Sequence, residues 1–368
     1  MLGVARDTKH YACRSNRLDS IRAYRRENGD LLRVIREIDS IVDGPFMLLP
    51  CADWSVLELS RCREELPSNA RIVLPPHETI QMLMDKGSLD EFARSAGIRT
   101  PRTIQVPSGV KDPDVEALTF PVVVKPARKS AAWDGAMATK VVVCDDPEKL
   151  GETAANLPES VGTLIVQEWI PGREDQLYSC NVYIDRSGDV LCTFVARKLR
   201  QWPPNAGTSA SGESVLDPRV SDLAAELFSR AGHRGLGYVE MKYDERSDSY
   251  VVIEPNLGRP TGRSAIADGG GVDLLYTAYC DAVGVEVPRP RAQRPETNKW
   301  VYLRHDLQAA VVAIRRRELT WRGWLKSLRG PKTFAVWSLS DPLPFLVDLW
   351  ATLGREAVGL RARSSRYR

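Results

Sequence analysis

The chain has 368 residues, enough for two or three subdomains around a sizeable core, and an ordinary globular composition with 43% hydrophobic and 27% charged residues. Seven scattered cysteines without a C-x-x-C pair, and four histidines (10, 77, 233 and 305) with none at i, i+4, argue against a disulfide framework and against a zinc or histidine metal site. The net charge of +3 is uneven: residues 285–368 carry 17 Lys+Arg against 7 Asp+Glu, a net +10 that leaves −7 for residues 1–284.

The opening MLGVARDTKH has no apolar signal-peptide core, and no apolar run is long enough to span a bilayer. The expectation is a cytoplasmic protein with reduced thiols. In chain order, 44–53 reads as a buried strand, 55–66 as a helix with Val56, Leu59, Cys62 and Leu66 on one face, and 71–76 as a second strand, an α/β unit with a parallel sheet. Residues 78–97 read as one helix closed by Gly97, followed by an extended segment. Strands are expected at 120–126, 139–144, 163–172, 177–185 and 189–198, the last two joined by the hairpin signal RSG. Residues 217–232 form a punctuated helix, with Asp217 as cap, Pro218 in the first turn and Gly232 at the end. His233 reads as a solvated turn histidine, and DGGGVD (268–273) as a flexible turn before a helix.

The next two strands, YVEMKYD (238–244) and YVVIEPN (250–256), flank the polar turn ERSDS. A hairpin centred on Ser247 sets Glu240 opposite Glu254, with Asn256 on the same face. Two acids on a solvated strand is one reading. The flanking VVI favours burial, and buried paired carboxylates require a cation or a proton. An all-oxygen set suits Mg²⁺ or Mn²⁺, and Mg²⁺ usually serves phosphates. There is no Walker loop and no G-x-G-x-x-G. Instead Lys125 ends the strand PVVVK, placed either to meet a phosphate as a point charge or simply at the surface.

Taken in order, DKGSLDEFARSAGIRTPRT (85–103), FPVVVKP (120–126), IVQEWIPGRED (165–175), GLGYVEMKYD (235–244) and IEPNLGRP (253–260) resemble the ATP-grasp superfamily over residues 85–284. Within it, ARKLRQWPP (196–204) and the tail resemble bacterial carboxylate–amine ligases of the D-aspartate ligase type. The resemblance implies an α/β (α+β) ATP-grasp fold. It comprises an N-terminal α/β subdomain (1–84), an ATP-grasp domain (85–284, lid about 100–170, metal-site subdomain about 171–284) and a basic C-terminal extension (285–368). It implies Lys86 and Lys125 on the α- and β-phosphates, and Gln167, the Glu168 carbonyl and the Ile170 N–H on the adenine. Glu174 falls to the ribose, and Glu240, Glu254 and Asn256 to one or two Mg²⁺ (or Mn²⁺) ions. Arg259, Arg263, Arg197 and Lys198 are candidates for the substrate carboxylate and the transferring phosphoryl group, each with a structural salt bridge as its alternative. The implied activity joins a carboxylate to an amine through an acyl phosphate, releasing ADP and phosphate. The partners are small molecules, an amino acid among them, and no nucleic acid. An ATP-binding scaffold without turnover is the competing reading.

Two features depart from the pattern. The phosphate-covering loop ARKSAAWDGAMA (127–138) has one glycine, with Arg128 and Lys129 adding charge and Trp133 offered to another ligand. The start LGVARDTKHYACRSNR resembles the stretch after a first strand and helix, so the N-terminal subdomain is expected to be shortened. In the tail, 304–332 places Leu307, Val311, Ile314, Leu319, Trp321, Trp324, Leu325 and Leu328 among eight Lys+Arg. Such a segment suits an anionic membrane surface, at the inner face of the membrane, or packs back on the enzyme as a helical pair.

Overall fold

The computed structural model describes residues 1–27, 29–110, 115–116, 118–127, 131–137, 139, 141–204, 207–287 and 292–351. Near the N-terminus, β1 (Leu2–Ala5) pairs in parallel with β2 (Ser20–Ala23). After α1 (Asp30–Asp39), β3 (Phe46–Met47) is joined through α2 (Asp53–Arg61) to β4 (Ala70–Arg71), again in parallel. The expected strand–helix–strand unit is present with much shorter strands, 46–47 for 44–53 and 70–71 for 71–76, and β3 and β4 form a sheet separate from β1 and β2. Val56 and Leu59 of α2 are buried, as their helical spacing requires, beside Leu31 and Ile35 of α1.

The single helix expected over 78–97 is two, α3 (His77–Met84) and α4 (Lys86–Ser95). Asp85 separates them: its carboxylate accepts the Ser88 N–H at 2.9 Å and caps α4. Lys86 thereby becomes the first residue of a helix. Gly97, at φ +68°, ends α4 as its left-handed conformation allows.

The following segment builds β5 (Thr103–Pro107), β6 (Val122–Pro126), α5 (Ala131–Ala136), β7 (Val142–Cys144), α6 (Pro147–Ala155) and β8 (Thr163–Glu168). The strands form an antiparallel sheet in the order β5-β8-β6-β7, with its own core of Val106, Val122, Val124, Leu150, Leu164 and Val166. Trp133 belongs to this core, its indole N–H donating to the Thr139 carbonyl at 2.9 Å. That corrects the expectation that it is offered to a ligand: a large ring beside an apolar sheet gains more from burial than from solvent. Arg128 and Lys129 of the covering loop lie outside the described residues.

The rest of the chain is organised by one seven-stranded sheet. It contains β9 (Leu177–Ile184), β10 (Val190–Trp202), β11 (Thr208–Ser214), β12 (Gly235–Asp244), β13 (Ser249–Leu257), β14 (Lys299–Val301) and β15 (Lys332–Phe334), in the order β13-β12-β9-β10-β11-β14-β15. Between strands run α7 (Pro218–Arg230), α8 (Ala265–Gly269), α9 (Leu274–Val283), α10 (Leu303–Arg315) and α11 (Trp321–Ser327). Asp217 and Pro218 start α7 as read. One face of the sheet, with Cys180, Val182, Val239 and Met241, packs on α7 and the N-terminal helices. Further along the opposite face, Tyr183, Phe194 and Leu236 pack on α8 and α9. The basic C-terminal segment supplies two strands of this sheet, β14 pairing with β11 and β15 with β14.

His233 is fully buried, stacked on Phe228 at 4.4 Å, with burial pulling its pKa down to about 4. The solvated-turn reading is thus corrected: the turn folds back under α7. A folded pKa below the ordinary value means the unfolded chain binds the extra proton first. Stability should therefore fall as pH drops from about 6.5 to 4, and the loss should be visible as a falling melting temperature across that window.

Candidate active site

The hairpin of β12 and β13 sets Glu240 directly opposite Glu254, and Tyr238 opposite Asn256. The Glu240–Glu254 pair is the expected one, but next to the turn the register is one residue off. From the turn inward the pairs are Asp244–Ser249, Tyr243–Tyr250, Lys242–Val251 and Met241–Val252. The ladder then shifts by one, leaving Ile253 as an extra residue before Glu240–Glu254. A one-residue bulge reverses the direction of every later side chain. Val252 faces the core, whereas Glu254 and Asn256 face the other way, on the side that carries Glu240. Glu254 is exposed and Glu240 half-buried, not buried as the apolar flanks suggested. The bulge takes Glu254 out of the apolar run before it can be buried. Among the described residues no side chain donates a hydrogen bond to either carboxylate. The two facing acids accept no side-chain hydrogen bond, and with the Asn256 oxygen, which also accepts from Arg259, they offer the hard oxygen set that Mg²⁺ prefers. No cluster of three or more His, Cys, Asp and Glu residues that could hold a metal occurs among the described residues. The fit to Mg²⁺ therefore rests on two acids and an amide.

Cations ring this face from three sides. Arg263, fully buried, donates to Ser179 Oγ at 2.8 Å, while its Nη1 is buried with no partner. Burial lowers its pKa, and Glu240 acts in the opposite direction. Lys198, also buried and lowered mainly by burial, feels Glu240, Arg263 and Glu174. Its ammonium donates to Gln201 at 3.1 Å, and the Gln201 amide donates to Glu174 at 2.8 Å. Arg259 donates to Asn256 Oδ1 at 2.5 Å, to the Tyr238 hydroxyl at 3.0 Å and to Asp53 at 2.5 Å, tying α2 to the end of β13. From the four-stranded sheet, Lys125 is drawn down to a pKa of about 8, chiefly by burial and next by the charge of Lys86, while Glu254 raises it. Residues from α4, β6 and β13 thus meet in one electrostatic neighbourhood.

No protein-family model matches the chain. It is 23% identical over 250 residues to a D-aspartate ligase of Enterococcus faecium (strain Aus0004), covering 64% of this chain and 58% of that one. It is 25% identical over 187 residues to a D-alanine–D-alanine ligase of Thermotoga maritima, covering 47% and 59%. The chain thus spans less than two thirds of the length of these curated relatives. An ADP complex of N5-carboxyaminoimidazole ribonucleotide synthetase superposes with a TM-score of 0.61 at 14% identity, over 86% of this chain and 78% of that one. The chain has the ATP-grasp fold. It resembles the carboxylate–amine ligases built on that fold.

Within the ATP-grasp frame, the remaining expected residues divide. Gln167 is buried on β8, its amide donating to Thr103 Oγ1 at 2.9 Å and its oxygen accepting from Lys125 at 3.4 Å. Its side chain thus holds the Lys125 ammonium from one side. The Glu168 carboxylate accepts the backbone N–H groups of Thr119 (2.9 Å) and Arg102 (3.2 Å), stapling the approaches to β6 and β5. Ile170 is buried in the connector after β8. Arg197 leaves the set. It precedes Lys198 on β10, so it points to the other face, where it pairs with Glu213 at 2.5 Å. Consecutive strand residues cannot both serve one face, and the expectation named both.

Sequence reasoning missed Asp53, Ser179, Gln201, Tyr238 and Lys242, whose ammonium donates to the Gly172 carbonyl at 2.9 Å and lies 5.3 Å from the Trp169 ring. Tyr238 and Lys242 left a signal, two residues on either side of Glu240 on the same strand face, and Gln201 lies three residues beyond Lys198 on β10. Asp53 and Ser179 come from distant segments.

Proposed function

We propose that the chain is an ATP- and Mg²⁺-dependent ligase that joins a carboxylate to an amine. The observation that carries this reading is the pair Glu240–Glu254 with Asn256 beside it, and Lys125, itself beside Lys86, in the field of Glu254. In this reading Lys86 and Lys125 hold the α- and β-phosphates of ATP, and Gln167, Glu168 and Ile170 lie along the adenine edge. Glu174 takes the ribose, while Glu240, Glu254 and Asn256 hold Mg²⁺. When bound, Mg²⁺ would neutralise charge on the β- and γ-phosphates. Lys198 and Arg263, the latter with an unused N–H, bind the substrate carboxylate and the oxygens of the transferring phosphoryl group. A carboxylate oxygen attacks the γ-phosphorus as the bond to ADP breaks. The neutral amine nitrogen then attacks the acyl carbon of the acyl phosphate, the bond to the phosphate oxygen breaks, and inorganic phosphate leaves with the bonding pair and takes up the proton that the nitrogen sheds. Arg259, bridging Asp53 to the end of β13, lies where the N-terminal subdomain meets this chemistry.

The names of the curated relatives carry D-aspartate and D-alanine, so D-amino acids are the first substrates to test. Release of ADP and phosphate that depends on an added amino acid, with a new amide in the product, supports the reading. ATP bound without turnover across D- and L-amino acids and hydroxy acids overturns it in favour of a scaffold.

Lys125 adds a pH test. In the free protein its proton is lost near pH 8, well below the ordinary lysine value, whereas phosphate favours the ammonium. ATP affinity should therefore be highest below pH 8 and weaken as pH rises through it, with a proton taken up on binding above that point. Calorimetry in buffers of differing ionisation heat reads that proton. Lys125→Ala should flatten the profile and raise the apparent ATP constant, since ground-state binding is lost. Unchanged ATP affinity would place Lys125 outside the site.

A further inference from the structure

The helices of the C-terminal segment are built inside out. On α10, Asp306 is buried, at 1% side-chain exposure, and paired with Arg200 at 2.7 Å, while Leu303 and Leu307, one turn apart, face solvent. On α11, Trp324 donates its indole N–H to Asp306 at 2.8 Å and Ser327 accepts from Arg200 at 2.9 Å, while Trp321 and Leu325, again i and i+4, are 51% and 58% exposed. Residues 343–351 are helical, and there Asp348 is buried against Arg304 and Tyr302 while Leu343, Leu346 and Trp350, at helical spacing, are exposed. On all three helices leucines or tryptophans stand on the exposed face, while the inner side of α10 holds Ala309 and Ala310 beside Asp306 and α11 turns Trp324 inward. α11 and the 343–351 helix are both tied to the first turns of α10, through side chains at 302, 304 and 306. Such an arrangement is expected where the outside is not water.

The charge around these helices names the occupant. Arg315, Arg316, Arg317, Arg322, Lys326, Arg329 and Lys332 are all exposed, and among the described residues none makes an ion pair. Arg304, by contrast, is consumed by Asp348. A second copy of the chain on this face would set these cations against their own counterparts, which like-charge repulsion opposes. No helix among the described residues is long and apolar enough to cross a membrane, so the contact lies along the surface.

We propose that the chain docks on an anionic lipid surface through this face, with Trp321, Leu325, Leu343, Leu346 and Trp350 entering the headgroup boundary and the seven cations binding lipid phosphates. Trp324 does not take part, because its indole is committed to Asp306.

The experiment sediments the full chain with phosphatidylcholine vesicles and with vesicles that also contain phosphatidylglycerol. Binding to the anionic vesicles alone is expected, weakening as salt is raised. Removing cations, as in Arg316→Gln with Arg317→Gln, should lower affinity about fivefold per charge. Trp321→Ala with Leu325→Ala should release the protein and lower its melting temperature less than Trp324→Phe does, since both side chains are more than half exposed and Trp321 gives up only its edge contact with Trp324. Trp324→Phe should lower the melting temperature and leave vesicle binding in place. No sedimentation with either vesicle overturns the proposal, as does binding that the Trp321–Leu325 variant retains. A dimer by light scattering that this variant dissociates would assign the face to self-association and likewise overturn it.

Discussion

Glu254→Gln is expected to abolish turnover while leaving the fold intact. Glu254 is exposed, and no side chain donates to its carboxylate among the described residues, so its replacement breaks no hydrogen bond and removes only its attraction for Lys125. What changes is charge. The acid faces Glu240 across the ladder, and opposed like charges destabilise a strand pair. In the absence of metal the variant should therefore melt at the same temperature as the parent or slightly above it. With Mg²⁺ and ATP the order should reverse: the parent gains stability by mass action and the variant gains little. The amide keeps the size of the acid and removes a hard anionic ligand, so turnover should fall at least ~10³-fold, equivalent to ~4 kcal/mol of barrier. Paired thermal melts with and without Mg–ATP, beside an ADP-release assay, separate the two effects. Full activity at ordinary Mg²⁺ concentration would remove Glu254 from the metal set.

Asp306→Ala is expected to cost ~3–5 kcal/mol of stability, the usual penalty for breaking a buried ion pair from one side. The carboxylate is 1% exposed and serves both Arg200 and Trp324. Without it, Arg200 keeps only Ser327, and its Nη2 is already buried without a partner. Urea unfolding should show the lost stability as a lower midpoint. The effect should also reach the site. Arg200 lies on β10 between Lys198 and Gln201, at a point where the β10–β11 ladder shifts register on both sides of it. Loosening it should disturb the Lys198–Gln201–Glu174 chain and reduce turnover in the fraction that stays folded. Asp306→Asn, which still accepts from Trp324, should lose less. Joint replacement by Asp306→Leu and Arg200→Met should restore most of the stability, because an apolar pair of similar volume avoids the desolvation of two charges. If the double variant is as unstable as the single one, the ion pair is not the source of the loss.

Much was legible in the chain because it depends on local chemistry. Asp217, Pro218 and Gly232 mark α7 through capping and backbone conformation, and these act within a few residues. The hairpin of β12 and β13 follows from a polar turn between two strand patterns, though Glu240 meets Glu254 only through the bulge at Ile253. The ordered run of segments from residue 85 to 260 carries the ATP-grasp likeness.

Other features depend on neighbours far away in the chain. The bulge at Ile253 decides which face Glu254 serves, and it is set by packing of Val252 and Leu257 against α7 and the N-terminal helices. β11, with the sequence TSASGES, has almost no strand propensity. It is a strand because β10 and β14 flank it and bury its small side chains. Asp85 was a readable cap, yet the apolar spacing on either side of it concealed the break. The separation of Trp321 from Trp324, three residues apart on one short helix, is decided by Asp306 and Arg200, an acid and a base more than a hundred residues apart in the chain. Local sequence sets propensity, capping and period. Which side of an element is inside is settled only when another element supplies the partner, since a hydrogen bond or a buried charge has no value until both of its ends are in place.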